Sequence, residues 1–266
     1  MKRQLSLTFD CDQWRSREIM QKFANSGAKG TEMLVNCALK LQFFRFVFLL
    51  QVTTVQAFEL DPAVRYGFDI RTQAQDPALA SDALYIVYTG PVAFPMRENL
   101  TEIWDAAKGS VHQITFEIDS KGGDVAVARR LAELFDEINK TATLTTKVGP
   151  GKICASACVA LFMQGTVRQA SGASSFMFHG VCPPFSNVPD QEATGRFFGM
   201  LRRSGTSEKF LNELTACGIY STPGQFWISG YELFHVSGAN IVTELLPSWT
   251  PSKSVVPPFD TQRSAK

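Results

Sequence analysis

Between residues 83 and 201 apolar positions recur first with the spacing of strands and then with that of helices, and the two periods alternate along the chain. Ala83 to Val87 reads as a strand, extended by Tyr88 and Thr89 to the Gly90-Pro91 turn. Leu100, Ile103, Trp104 and Ala107 fall on one face of a helix spanning Asn99 to Lys108. Gln113 to Ile118 is a second strand, and Ser120-Lys121-Gly122-Gly123 follows it as a turn in which glycine permits unusual dihedrals and close backbone approach. Asp124 to Ile138 then returns to helical spacing, with Val127, Leu131, Leu134, Phe135 and Ile138 on the inward face. A third strand is expected over Thr141 to Val148, ended by Gly149-Pro150-Gly151 and followed by a helical run beginning near Cys154. Phe176 and Phe178 belong to a short strand before His179; a loop over Pro183-Pro184 and Ser186 to Pro189 leads to a helix over Gln191 to Leu201.

This repetition predicts a layered α/β fold with a β-sheet core covered by helices. No internal repeat or composition break divides residues 83–247, so one domain is assigned there. Residues 58–82 read as a linker or N-terminal arm, and 248–266, with several Pro and Ser residues, as a flexible tail.

Upstream the pattern differs. From Met33 the chain runs MLVNCALKLQFFRFVFLLQVTTVQAFEL, with Lys40 and Arg45 ahead of the apolar run Phe46 to Leu50 and small residues at Val55 and Ala57. That is the arrangement of a secretory signal cleaved after Ala57, and it places the mature chain in the periplasm or outside the cell. The run is much shorter than the roughly 20 residues a spanning helix needs, so no stable membrane span is expected after cleavage. A buried amphipathic helix over Met33 to Val55 is the alternative, and residues 1–32 read as an upstream extension.

Composition changes the picture in three ways. The 266 residues carry 26 Lys plus Arg against 25 Asp plus Glu; eight of the former and four of the latter lie in residues 1–57, leaving a formal −3 downstream. No bulk positive field exists for nucleic acid to follow. The three histidines, His112, His179 and His235, stand in no HExxH or paired CxxC pattern, so no metal site is expected. Of six cysteines, Cys154, Cys158, Cys182 and Cys217 follow the cleavage point and are candidate disulfide partners in any of three pairings. If Cys154 and Cys158 lie on a helix, their spacing puts them on one face, and burial of individual cysteines as small apolar residues is the competing reading.

Three segments carry chemistry: IDSKGG after a strand, CASAC with Ser156 at its centre, and FHG with His179 23 residues beyond that serine. In this order they resemble the serine peptidases of the Clp proteolytic-subunit and crotonase-like fold, particularly their secreted or periplasmic relatives. The resemblance covers about residues 83–245, including FWISGYELFHVSGANIV, which is similar to that family's aromatic-Leu-Ser segment although Ile228 replaces the Leu and one extra residue precedes Gly238. It implies a Clp/crotonase-like fold and a Ser–His hydrolytic centre. Ser156 matches the nucleophile, His179 the general base, and Gly123 and Ala157 the positions whose backbone N–H groups form the oxyanion hole. A neutral serine is a poor nucleophile until a base within hydrogen-bond reach takes its proton and fixed donors stabilise the developing oxyanion.

Where the related peptidases carry an aspartate, this chain has Gln225, with Gly224 in the neighbouring register. An amide can orient a histidine but supplies no negative charge to an imidazolium. Asp190 and Glu192 are the substitutes considered; their alternative is solvent-facing charge. The resemblance thus implies a peptidase working through an acyl-enzyme without a cofactor, on a peptide or protein substrate bound in extended form beside a sheet edge. Related folds form trimers or stacked rings, which implies a homo-oligomer. No Walker segment or dinucleotide GxGxxG occurs, so no ATPase partner is indicated. Two other readings stand beside hydrolysis. One is a catalytically degenerate binding or scaffold protein with Phe185, Phe197 and Phe198 in an exposed patch; the other is crotonase-like acyl-group chemistry.

Overall fold

The computed structural model describes residues 66–183, 186–219, 221–222, 224–235 and 238–247. The leader expected over residues 33–57, the extension before it, Phe185 and the tail from residue 248 lie outside the described residues.

A six-stranded sheet is ordered β1-β2-β3-β4-β6-β9, from Phe68–Arg71 (β1), Ala83–Thr89 (β2), Gln113–Asp119 (β3), Thr143–Val148 (β4), Val167–Ala170 (β6) and Glu244–Leu245 (β9). β1 pairs antiparallel with β2, and every other neighbour is parallel. Because a strand turns successive side chains to opposite faces, Leu84, Ile86 and Tyr88 share a buried face with Ile114, Phe116, Ile118, Leu144 and Val148. The helices Met96–Ala107 (α1) and Val125–Ile138 (α2) supply apolar stripes, and the Phe116 and Phe135 rings meet 5.3 Å apart between strand and helix.

The opposite face of the sheet carries a polar cluster. Tyr85 donates its hydroxyl to Glu117, and Lys147 donates to the Tyr85 hydroxyl at 2.7 Å while pairing with Glu117 at 3.0 Å. Burial and the Glu117 hydrogen bond push the Tyr85 hydroxyl above its ordinary range. Lys147 loses solvation as well, but its Tyr85 and Glu117 partners hold its pKa above the ordinary value, so the lysine is charged and the phenol neutral.

A smaller sheet, β5-β7-β8, consists of Ile153–Ala155, Ser175–His179 and Gln225–Ser229. β5 runs parallel to β7, and β8 antiparallel to it. Between the sheets lies Ala157–Phe162 (α3), a helix with every residue buried, as expected of a segment apolar on all sides. Gln191–Arg203 (α4), Glu208–Ala216 (α5) and Gly230–His235 (α6) complete the described helices. The aromatic core beneath them includes Phe178 against Phe210 at 5.4 Å and Phe162 against Phe176 at 5.1 Å.

The layered α/β architecture expected from the alternating periods is the one observed. Four local expectations are corrected. Within the stretch read as a connecting arm, Phe68–Arg71 pairs with β2 as an edge strand. The run beginning near Cys154 is not one helix: Ile153–Ala155 is a strand, and the helix starts after Ser156. Phe197 and Phe198 form no exposed patch, because both are enclosed at 1% and 0% exposure where α4 packs inward. Cys182 pairs with no other cysteine and is free; the bond among the three candidate pairings is Cys154–Cys158, and Cys217 is also disulfide-bonded.

Candidate active site

The IDSKGG and CASAC segments meet because β3 continues past its last residue into the second sheet. Ser120 N donates to the Ile153 carbonyl at 2.8 Å and Ala155 N to the Ser120 carbonyl at 3.0 Å. Asp119 strengthens the junction, accepting from Ile153 N at 3.1 Å and pairing with Lys152 at 3.1 Å. This carboxylate is a structural residue that no sequence reasoning singled out, although it stands inside the quoted IDSKGG. The glycine turn beyond it is pinned from two sides. Gly122 N donates to Ser120 Oγ at 3.1 Å, Val92 N donates to the Gly122 carbonyl at 2.9 Å, and Asp124 N donates to the Val92 carbonyl at 2.7 Å. Asp124 then caps α2, its carboxylate accepting from Ala126 N and Val127 N at 2.6 and 3.3 Å.

Glycine is required at both positions of this turn. Gly122 has φ +92°, and a Cβ there would lie 2.5 Å from the Ala155 carbonyl oxygen and 2.7 Å from Ser156 Cβ. Gly123 has φ +153°, and its Cβ would meet the Val92 carbonyl oxygen at 2.3 Å. The turn therefore lies against the serine with no room for a side chain between them.

Ser156 stands at the point where β5 ends and α3 begins, with φ 56° and ψ −124°. A serine at positive φ costs on the order of 1–3 kcal/mol and persists only where its surroundings hold it. Here Ser156 N donates to the Met177 carbonyl at 2.8 Å, Val159 N donates to the Ser156 carbonyl at 2.9 Å, and Cys154 and Cys158 are bonded across it. Strand, sharp turn and helix together lift the hydroxyl out of the backbone, the arrangement that exposes a nucleophile. Ser156 itself is half-buried, while Ala155 and Ala157 on either side are enclosed.

β7 brings His179 to the serine from the other side: its Nε2 lies 2.7 Å from Ser156 Oγ. Burial disfavours the imidazolium and lowers the His179 pKa below its ordinary 6.5, with a hydrogen bond to the Gly180 backbone pulling weakly the other way. The ring is thus neutral at neutral pH. The other two histidines lie in different surroundings, His112 beside Asp82 at 3.8 Å and His235 against the Tyr231 ring at 4.2 Å.

Among the described residues neither Gly123 N nor Ala157 N donates a hydrogen bond to the protein. The three carboxylate or amide candidates for orienting His179 are engaged elsewhere. Gln225 is the strand partner opposite His179, yet its Oε1 accepts from Trp227 Nε1 at 3.1 Å. Asp190 caps α4, accepting from Ala193 N at 2.7 Å, and Glu192 pairs with Arg196. None of the three is hydrogen-bonded to His179, and the neighbouring Gly180 backbone is the group that favours its protonated form. Gly180 is closely packed, since a Cβ there would fall 2.5 Å from Pro189 Cβ and 2.7 Å from the Ile219 carbonyl oxygen.

Among the described residues no group of three His, Cys, Asp or Glu side chains is placed to hold a metal ion, and no helix is long and apolar enough to cross a membrane. A cavity of about 660 Å³, bordered by Arg129, Glu133, Gln164, Arg168 and Arg203, includes neither Ser156 nor His179.

No protein-family model matches the chain, and no curated protein matches it. Among solved structures it is similar to the ClpP protease catalytic domain of Plasmodium falciparum, at 14% identity and a TM-score of 0.48, over 64% of this chain and 87% of that one. It is also similar to a ClpP1 mutant from Listeria monocytogenes, at 17% identity and a TM-score of 0.44, over 61% of this chain and 90% of that one.

Proposed function

We propose that the chain is a serine hydrolase, a Clp-like peptidase that cleaves amide bonds through an acyl-enzyme on Ser156. The observation that carries this reading is the 2.7 Å contact between Ser156 Oγ and a neutral His179 Nε2, made at a serine held at positive φ between a strand and a helix. Ser156 Oγ attacks the scissile carbonyl carbon while His179 Nε2 takes its proton. The carbonyl oxygen becomes an oxyanion in reach of the Gly123 and Ala157 N–H groups, which donate to no acceptor among the described residues. Collapse of the tetrahedral intermediate expels the amine, which leaves with the proton from His179. Water, deprotonated by the same imidazole, then releases the acyl group and restores the serine.

For Nε2 to act as acceptor the ring proton must sit on Nδ1, and the polar group that favours the charged ring is the adjacent Gly180 backbone. A backbone dipole stabilises imidazolium less than a carboxylate does, so turnover falls below that of a carboxylate-backed triad. An oxidising location, periplasmic or extracellular, is supported by the leader pattern before Ala57 and by the Cys154–Cys158 bond. Assembly as a homo-oligomer belongs to the same proposal. The scaffold reading drew on Phe185, Phe197 and Phe198, and of these Phe197 and Phe198 are buried.

The test is labelling of the purified full chain with a fluorophosphonate. Wild type should react at Ser156, and Ser156→Ala should lose the label; equal labelling of the two would overturn the assignment of the nucleophile. Cleavage of a fluorogenic peptide by wild type and not by Ser156→Ala separates a peptidase from an esterase.

A further inference from the structure

The serine is the central residue of the five that lie from Cys154 to Cys158, and the bond joining those two cysteines closes a small ring around it. Cys154 belongs to β5. It is opposite Phe176 of β7 and bridges Ser120 at the end of β3, so both sheets hold it. Cys158 lies in the first turn of α3, a helix of six residues, too short to be stable without its surroundings. Both cysteines have 0% exposure. The disulfide is therefore a direct covalent brace from a doubly paired strand to the start of a short helix, and the residue it spans is the one at φ 56°.

The two quantities that such a brace fixes are those the chemistry needs. One is the Ser156 backbone, which must keep an unfavourable conformation for Oγ to meet His179. The other is the direction of the Ala157 N–H, which lies inside the closed ring and donates to no acceptor among the described residues. Ser156 N is held from β7, and the peptide plane that carries the Ala157 N–H is held at the Ser156 carbonyl, which accepts from Val159 N at 2.9 Å; the ring closure restrains the same plane from both ends.

We propose that Cys154 and Cys158 are a positioning pair for the Ser156 site: their disulfide holds the serine and the Ala157 donor in reactive geometry. This rests on Ser156 being the nucleophile. Without the bond the turn relaxes toward ordinary dihedrals, Oγ and the donor move by some tenths of an ångström, and the reactive step slows while binding and His179 ionisation do not change. Displacements approaching 1 Å cost about 100-fold in rate.

The experiment compares full-length wild type with Cys154→Ala/Cys158→Ala, following fluorophosphonate reaction at Ser156 well below either melting temperature and resolving the maximal rate from the half-saturating concentration. The maximal rate should fall about 10- to 100-fold, with half-saturation and the pH midpoint of labelling unchanged. A bond serving stability alone would lower the melting temperature and leave the rate of the folded variant unaltered, and that result would overturn the proposal. Where the double variant does not fold, Cys158→Ala alone, which opens the same ring and keeps one sulfur in the core, is measured instead. Failure of both to fold would also overturn it, since the bond would then be a staple of the fold. Wild type that is labelled at Ser156 isolates the positioning proposal; wild type that is never labelled there overturns both this proposal and the nucleophile assignment.

Discussion

Adding one methyl group at position 122 tests the way the glycine turn lies against the serine. In Gly122→Ala the new Cβ would sit 2.7 Å from Ser156 Cβ and 2.5 Å from the Ala155 carbonyl oxygen. Carbon atoms in contact rest about 3.5–4.0 Å apart, so turn and serine must separate by roughly 1 Å. The position also has φ +92°, which adds about 1–2 kcal/mol for any residue bearing a Cβ. With overpacking of about 1–3 kcal/mol, the expected destabilisation is about 2–5 kcal/mol. A shift of that size next to the reacting atom should slow labelling of Ser156 about 100-fold. Guanidinium denaturation gives the stability, and fluorophosphonate kinetics on the folded fraction gives the rate. Gly151→Ala is the control: it has φ +70° but nothing within 4 Å of its Cβ, so it should lose about 1 kcal/mol and label normally. Gly122→Ala that folds and labels within threefold of wild type would refute the packing of this turn on Ser156.

Two further outcomes follow from the histidine and its surroundings. Labelling should rise with pH as the His179 imidazolium loses its proton, with a midpoint below 6.5 because burial lowers that pKa; a midpoint above 6.5 would contradict the burial argument. By linkage the same depressed pKa adds stability that is present above pH 6.5 and lost as pH falls through the folded-state value. Gln225→Ala should label within about threefold of wild type with an unmoved pH midpoint, because its amide is bonded to Trp227; a tenfold loss would return it to the role of histidine orienter.

The strand and helix periods in the sequence located the central sheet because Leu84, Ile86, Ile114, Phe116 and Leu144 are spaced by the pleat and buried as that spacing requires. What escaped were elements whose stability comes from partners distant in the chain. β1 has only Phe68 and Ile70 as apolar residues, between Asp69 and Arg71, and exists by pairing with β2. β6 contains Arg168, which reads as surface; it is buried because it donates to the carbonyls of Ile241, Gly165 and Asn240. The Ser156 and His179 pair was legible through motif order, while the fate of Gln225, Asp190 and Glu192 was not. Each had a nearer partner, in Trp227, the start of α4 and Arg196, and the choice among partners is made by local geometry. Cys182 was counted with the pairing cysteines for the same reason: spacing gives proximity along the chain, and pairing needs proximity in space.

The place of β7 in the smaller sheet also sets a timetable. Ser156 is held by β5, β5 is laid on β7, and β7 is flanked on its other side by β8, which reaches Ser229. A chain emerging from the ribosome thus carries its serine some seventy residues before the strand that closes the sheet beside His179 has been made. Until then β7 has an open edge, and the imidazole at its end lacks the neighbour opposite it. Covering of both edges of β7 therefore waits for a strand made late in the chain, so the order of synthesis sets when the surroundings of Ser156 and His179 are complete.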